Sequence, residues 1–92
     1  MKHYLQLAGH KFEVCLFHNN SLAISAKDVS KTFNTKIEPE TRVWIDQFIF
    51  ARILIWYCLH PKNQESEFRK ITVAKFQDAL DKAKEELLEK GV

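Results

Sequence analysis

The sequence predicts an α+β domain: a small N-terminal antiparallel sheet of about three strands, followed by three helices, the middle one strongly apolar. Three observations carry this. Residues 3–24 alternate in hydropathy with a period of two, interrupted by turn residues. From Ser25 the period changes to that of a helix. The remaining chain holds long stretches without a turn signal, separated by the polar segment PKNQES at 61–66.

The strands come first. In HYLQL (3–7), Leu5 and Leu7 share one face and Tyr4 and Gln6 the other. In FEVCLF (12–17), Phe12, Val14 and Leu16 alternate with Glu13, Cys15 and Phe17. Gly9 supplies the turn between them, because glycine adopts positive φ without steric cost. HNNS (18–21) makes the second turn, since asparagine tolerates the same region. LAI (22–24) then reads as a third strand, completing a meander with one wet face.

Ser25 is a good N-cap for the first helix, with Asp28 at the position where a capping box places its acid. Ile24 and Val29 fit a hydrophobic staple, and the helix should end near Asn34. A second helix is expected to start near Pro39, where Glu38 and Glu40 complement the helix dipole, and to stop at Pro61. Arg42 and Asp46 would pair one turn apart in it. Its β-branched and aromatic content keeps strand as an alternative. Thr72 is expected to cap the third helix. There Val73, Phe76, Leu80, Ala83 and Leu87 form an apolar seam, with Asp78–Lys82 and Glu86–Lys90 as pairs and Gly91 as terminator. The lead-in FRKI (68–71) reads as a short strand or a helical turn.

Composition bounds the function. A chain of 92 residues with 46% hydrophobic and 28% charged residues makes one ordinary domain. Cys15 and Cys58 cannot build a disulfide framework; free thiols in apolar runs suit a cytoplasmic protein, and no signal-peptide pattern opens the chain. The apolar run Phe48–Leu59 is too short for a membrane span, which needs about 20 residues. Asp46 and Arg52 would each cost about 2.5–3.5 kcal/mol near a bilayer centre. The run is instead a core helix with apolar surface to spare. Trp44, Phe50, Trp56 and Tyr57 are the candidate residues for a homodimer or protein-partner interface, because aromatic side chains dominate such contacts.

No enzyme chemistry stands out, and no cofactor or metal is expected. Cys15 and His18 lack the other ligands of a zinc site, His3 and His10 would have to meet across the hairpin, and only Gly9 and Gly91 exist to build a phosphate loop. Asp46 and His60 lie fourteen residues apart, about 21 Å along one helix. Net charge is +2. Five lysines against Glu13 and Asp28 leave residues 1–36 at +3. Lys11, Lys27, Lys31 and Lys36, with Lys62, Arg69 and Lys70 around the polar linker, are candidate phosphate contacts; solvated surface cations are the plainer reading.

The stretch GHKFEVCLFHNNSLAISAKDVSKTFN (9–34), with its hairpin and the AKDV sequence at Ala26–Val29, resembles the opening of BRO-N domains of viral and phage proteins. FARILIWYCLHP (50–61) resembles the end of the related KilA-N domain. The resemblance covers less than half of the chain. It implies a small phage-type regulatory protein that contacts DNA. The expectation is therefore a non-catalytic binding protein that dimerises through the aromatic helix and touches nucleic acid through its cations. The alternative is an inhibitor or adaptor that grips a target protein through that helix or a sheet edge.

Overall fold

Two tight turns organise the N-terminal third. In the computed structural model, which describes residues 2–36 and 43–89, strand β1 (His3–Leu7) turns into β2 (His10–Leu16) through Ala8 and Gly9. Both have positive φ, 50° and 79°. A two-residue loop with this geometry matches the twist of the strands it joins. β2 reaches β3 (Leu22–Ser25) through a loop in which Asn20 adopts φ 62°. The Phe17 carbonyl accepts from the Asn20 N–H at 2.9 Å. The Asn19 side chain accepts from the Ser21 N–H at 3.1 Å and closes the loop.

Helix α1 (Ala26–Phe33) follows, capped by Ser25, whose hydroxyl accepts from the Asp28 N–H at 3.3 Å. Asn34 ends it in the left-handed conformation with φ 50°, a position asparagine tolerates where glycine is absent. Ile24 and Val29 are both fully buried in one cluster, as a staple requires. The expected capping box does not close on itself. The Asp28 carboxylate instead accepts from the Glu13 N–H at 2.8 Å. The β2–β3 register, Val14 opposite Ile24, would next place Glu13 opposite Ser25. There β3 leaves the ladder to begin α1, and Asp28 takes up the donor that the strand abandons.

The sheet gains a fourth strand. The second helix was expected from Pro39, but Trp44–Asp46 form β4, antiparallel to β3 with Ile45 opposite Ile24. Pro39, Glu38, Glu40 and Arg42 lie outside the described residues. The physical reason is local. Val43, Trp44 and Ile45 favour the pleated conformation, and Asp46 prefers a cap to a helix interior. Its Oδ1 accepts from the N–H groups of Phe48 and Ile49 at 2.8 and 2.9 Å, starting α2 at Gln47. The sheet order is β1-β2-β3-β4.

Helix α2 (Gln47–Leu59) stops before Pro61, which opens a 3-10 turn over Pro61–Asn63. The FRKI segment is helical, not extended: a second 3-10 turn covers Glu67–Lys70. Helix α3 (Val73–Glu89) is capped by the Thr72 hydroxyl, which accepts from the Lys75 N–H at 3.1 Å. Its seam begins later than the spacing implied. Leu80, Ala83 and Leu87 are buried and Phe76 packs at the margin, but Val73 is 86% exposed. As the first helical residue, Val73 lies off the cluster. Among the described residues, the ion pairs within 4 Å are Lys2–Glu13 and Lys70–Glu67, so Asp78 does not pair with Lys82. Asp81 accepts instead from the Gln77 amide at 3.0 Å. Lys90 and Gly91 lie outside the described residues.

One face of the sheet presents Leu5, Leu7, Phe12, Val14, Leu22, Ile24 and Ile45, all buried, and the buried residues of all three helices join the same cluster. Tyr4, Gln6 and Lys11 lie on the other, wetter face. Removing the Asp28 carboxylate should expose how much the strand-to-helix transfer contributes. Asp28→Ala leaves the Glu13 N–H without its charged acceptor and should lower unfolding free energy in urea by about 1–3 kcal/mol. Asp28→Asn, which keeps an acceptor oxygen, should lose less. Equal losses in the two variants would contradict this role.

Candidate binding surface on the second helix

Helix α2 is apolar on both of its sides, and the sheet covers only one. Phe50 and Leu54 face inward. Phe50 meets the Phe12 ring edge-on at 5.2 Å and lies 6.0 Å from Phe76 and 6.2 Å from Phe33. A rotation of 100° per residue then turns Phe48, Arg52, Ile55 and Leu59 away from the core as one stripe. Phe48 is 71% exposed, Ile55 59% and Leu59 72%, with Trp56 at 69% beside them. Arg52, exposed among them, is the only charge on the helix.

The stripe runs into a groove of about 330 Å³ between α2 and the start of α3. Ile55, Cys58, Leu59, Phe68, Val73 and Phe76 line its walls, and Arg69 stands at its rim. Burial pushes the Cys58 thiol above its ordinary pKa, an effect that the Arg69 guanidinium offsets in part. Cys15 is raised too, by burial first and by the Glu13 carboxylate second. Both thiols are unpaired, and neither has the lowered pKa of a reactive nucleophile.

The four aromatic residues expected at an interface divide among different environments. Trp56 faces solvent. Phe50 is fully buried and belongs to the core, because Phe12, Phe33 and Phe76 surround it. Tyr57 is half-buried, 5.0 Å from the Phe33 ring and 5.9 Å from Phe68. Trp44 is half-buried on β4, opposite Ser25. Sequence reasoning missed Phe48, Ile55, Leu59 and Val73. With apolar residues all around the helical wheel, nothing in the pattern says which side meets the sheet. Arg52 was the available signal, since a lone charge on a core helix marks the side left to water.

The candidate cations are distributed over several elements. Lys27 and Lys31 are exposed one turn apart on α1, and Lys36 is exposed beyond it. Lys11 lies over the Tyr4 ring at 5.8 Å, and Lys70 pairs with Glu67 at 3.1 Å. The rings of His10 and Phe68 stack at 5.2 Å. This holds the start of β2 against the 3-10 turn that carries Arg69 and Lys70. Lys62 lines a separate cleft with Thr32, Asn34, Trp56 and His60.

The histidines do not converge. The register sets His3 opposite Val14 and His10 opposite Leu7, four residues along the ladder, about 13 Å. Asp46 and His60 cap opposite ends of α2. Among the described residues, no three His, Cys, Asp or Glu side chains gather as metal ligands. No described helix is long and apolar enough to cross a membrane. No family model matches the chain, and neither a curated protein nor a solved structure matches it.

Truncation should separate the two sides of α2. Phe50→Ala should cost about 3–5 kcal/mol, as expected for an aromatic residue lost from a core. Trp56→Ala should stay within about 1 kcal/mol. Chemical denaturation of the two variants measures both, and similar losses would place Trp56 inside.

Proposed function

We propose that the chain is a non-catalytic binding protein whose contact surface for protein is the outward face of α2. The observation that carries this reading is the stripe of Phe48, Ile55 and Leu59 with Trp56 beside it, each more than half exposed. Scattered apolar residues are normal on a surface. A contiguous row on one helix, continuing into an apolar groove, has the character of an interaction site. The absence of any acid from the stripe and groove lining adds a chemical bias, since Arg52 and Arg69 favour aromatic or anionic contacts.

A dye that fluoresces in apolar surroundings tests the surface. In dilute solution it should bind the native chain. A variant carrying both Phe48→Glu and Leu59→Glu should lose that binding with its circular dichroism unchanged. Equal dye binding by the two would sink the assignment.

The cations support a second reading, contact with nucleic acid as in a small regulatory protein of phage type. Its specific support is the positive excess of residues 1–36, with Lys27 and Lys31 both exposed on α1. Affinity for a fluorescent oligonucleotide should then fall steeply as salt rises. Lys27→Glu with Lys31→Glu should abolish it. A salt-insensitive signal, or an unaltered one in this variant, would refute nucleic-acid contact through α1.

A further inference from the structure

The geometry points to a second copy of this chain as the occupant of the α2 face, packed antiparallel about a two-fold axis between Arg52 and Ile55. This rests on the reading of that face as a protein-contact surface and names its partner.

The spacing of the stripe comes first. Phe48, Arg52, Ile55 and Leu59 stand at intervals of four, three and four, a pattern that is the same read in either direction. A two-fold interface uses one patch twice, so the patch must complement itself. Antiparallel pairing about the stripe's midpoint sets Phe48 level with Leu59 of the second copy. Arg52 falls level with the second copy's Ile55 and about one residue, 1.5 Å of rise, from its Trp56. The two arginines are about three residues, 4.5 Å of rise, from each other. Parallel pairing would set the two copies of Arg52 level with each other.

Charge favours the same arrangement. The stripe has one cation and no acid, and Arg52 shares a surface cleft with Trp56 of its own helix, one turn away. A guanidinium stacks well on an indole face, and Trp56 is 69% exposed on the same side of the helix as Arg52. In the antiparallel pair the second copy adds a further indole beside Arg52 and brings no carboxylate to the stripe.

Area completes the case. Aromatic side chains carry about 150–250 Å² each, so Phe48 and Trp56 together expose on the order of 300 Å² at their observed 71% and 69%. Ile55, Leu59 and Val73 extend the patch by several further side chains. With rim atoms it approaches the roughly 800 Å² that each partner loses in an interface of standard size.

Sedimentation equilibrium over a wide concentration range, run with the dye measurement, tests the proposal. The native chain should approach twice its 10.8 kDa mass on concentration, while dye bound per chain falls. The Phe48→Glu, Leu59→Glu variant should weaken dimerisation at least about a hundredfold. Orientation is read by oxidative cross-linking after Cys15→Ala and Cys58→Ala. A mixture of Phe48→Cys and Leu59→Cys chains should form a disulfide dimer, and neither alone should do so efficiently. A dimer indifferent to the glutamates, or cross-linking of Leu59→Cys alone as fast as the mixture, overturns the proposal. A chain that stays monomeric yet binds dye through Phe48 and Leu59 excludes the second copy and leaves the contact surface for another protein. A monomer that binds no dye removes both.

Discussion

Phe12 sits where the elements of the domain meet. It is fully buried on β2, stacked 5.8 Å from Phe33 of α1 and edge-on to Phe50 of α2 at 5.2 Å. Phe33 in turn reaches Phe68 at 4.9 Å and Tyr57 at 5.0 Å. Each such pair contributes about 0.5–1.5 kcal/mol beyond its area, but the geometric consequence matters more than the energy. Anchoring Phe50 on Phe12 fixes the rotation of α2 about its own axis. Every other α2 side chain follows from that phase, and the side opposite Phe50 is the stripe of Phe48, Arg52, Ile55 and Leu59.

Among the described residues nothing covers that stripe, whose apolar side chains are each more than half exposed. Folding removes only about 60–65% of the surface of a chain near this length. The sheet face is already taken up by α1, α3 and the inner side of α2, whose buried residues share one cluster. The polar groups of the fold are better served. No buried side-chain nitrogen or oxygen lacks a partner among the described residues, and the helix starts are closed by Ser25, Asp46 and Thr72. The domain therefore spends its polar side chains on boundaries and gathers a row of its exposed apolar side chains on one outward helix face.

That division explains what the sequence could and could not disclose. The meander, the cap at Ser25, the end at Asn34, the stop before Pro61 and the cap at Thr72 are local features, readable from a few neighbouring residues. β4 was hidden because Trp44 and Ile45 adjoin an apolar run with no Gly or Pro between them, and only the competition at Asp46 separates strand from helix. Asp28 was read as a partner for its own helix, whereas its acceptor is used by Glu13, fifteen residues earlier. The site suffered most. Amphipathicity announces a buried face by contrast, and α2 offers almost none: Phe50 and Phe48 are the same residue type on opposite sides. Tertiary packing alone distinguishes them.

Arg52 then becomes the informative residue of the helix. If the outward stripe were merely apolar surplus, an arginine in its middle would only reduce its stickiness. Its position does more. A charge at one site in an otherwise apolar row penalises any pairing that brings two copies of it together, which is how charged positions select among competing arrangements of similar area. In the proposed dimer the parallel arrangement would bring the two arginines level with each other, whereas the antiparallel one would offset them by about 4.5 Å of rise and bring each near an indole of the second copy. Lysine would not serve equally, because its ammonium is strongly hydrated and lacks the planar face that stacks on a ring. In the proposed dimer, the same side chain that keeps the isolated face wet would also bias the orientation in which two such faces fit.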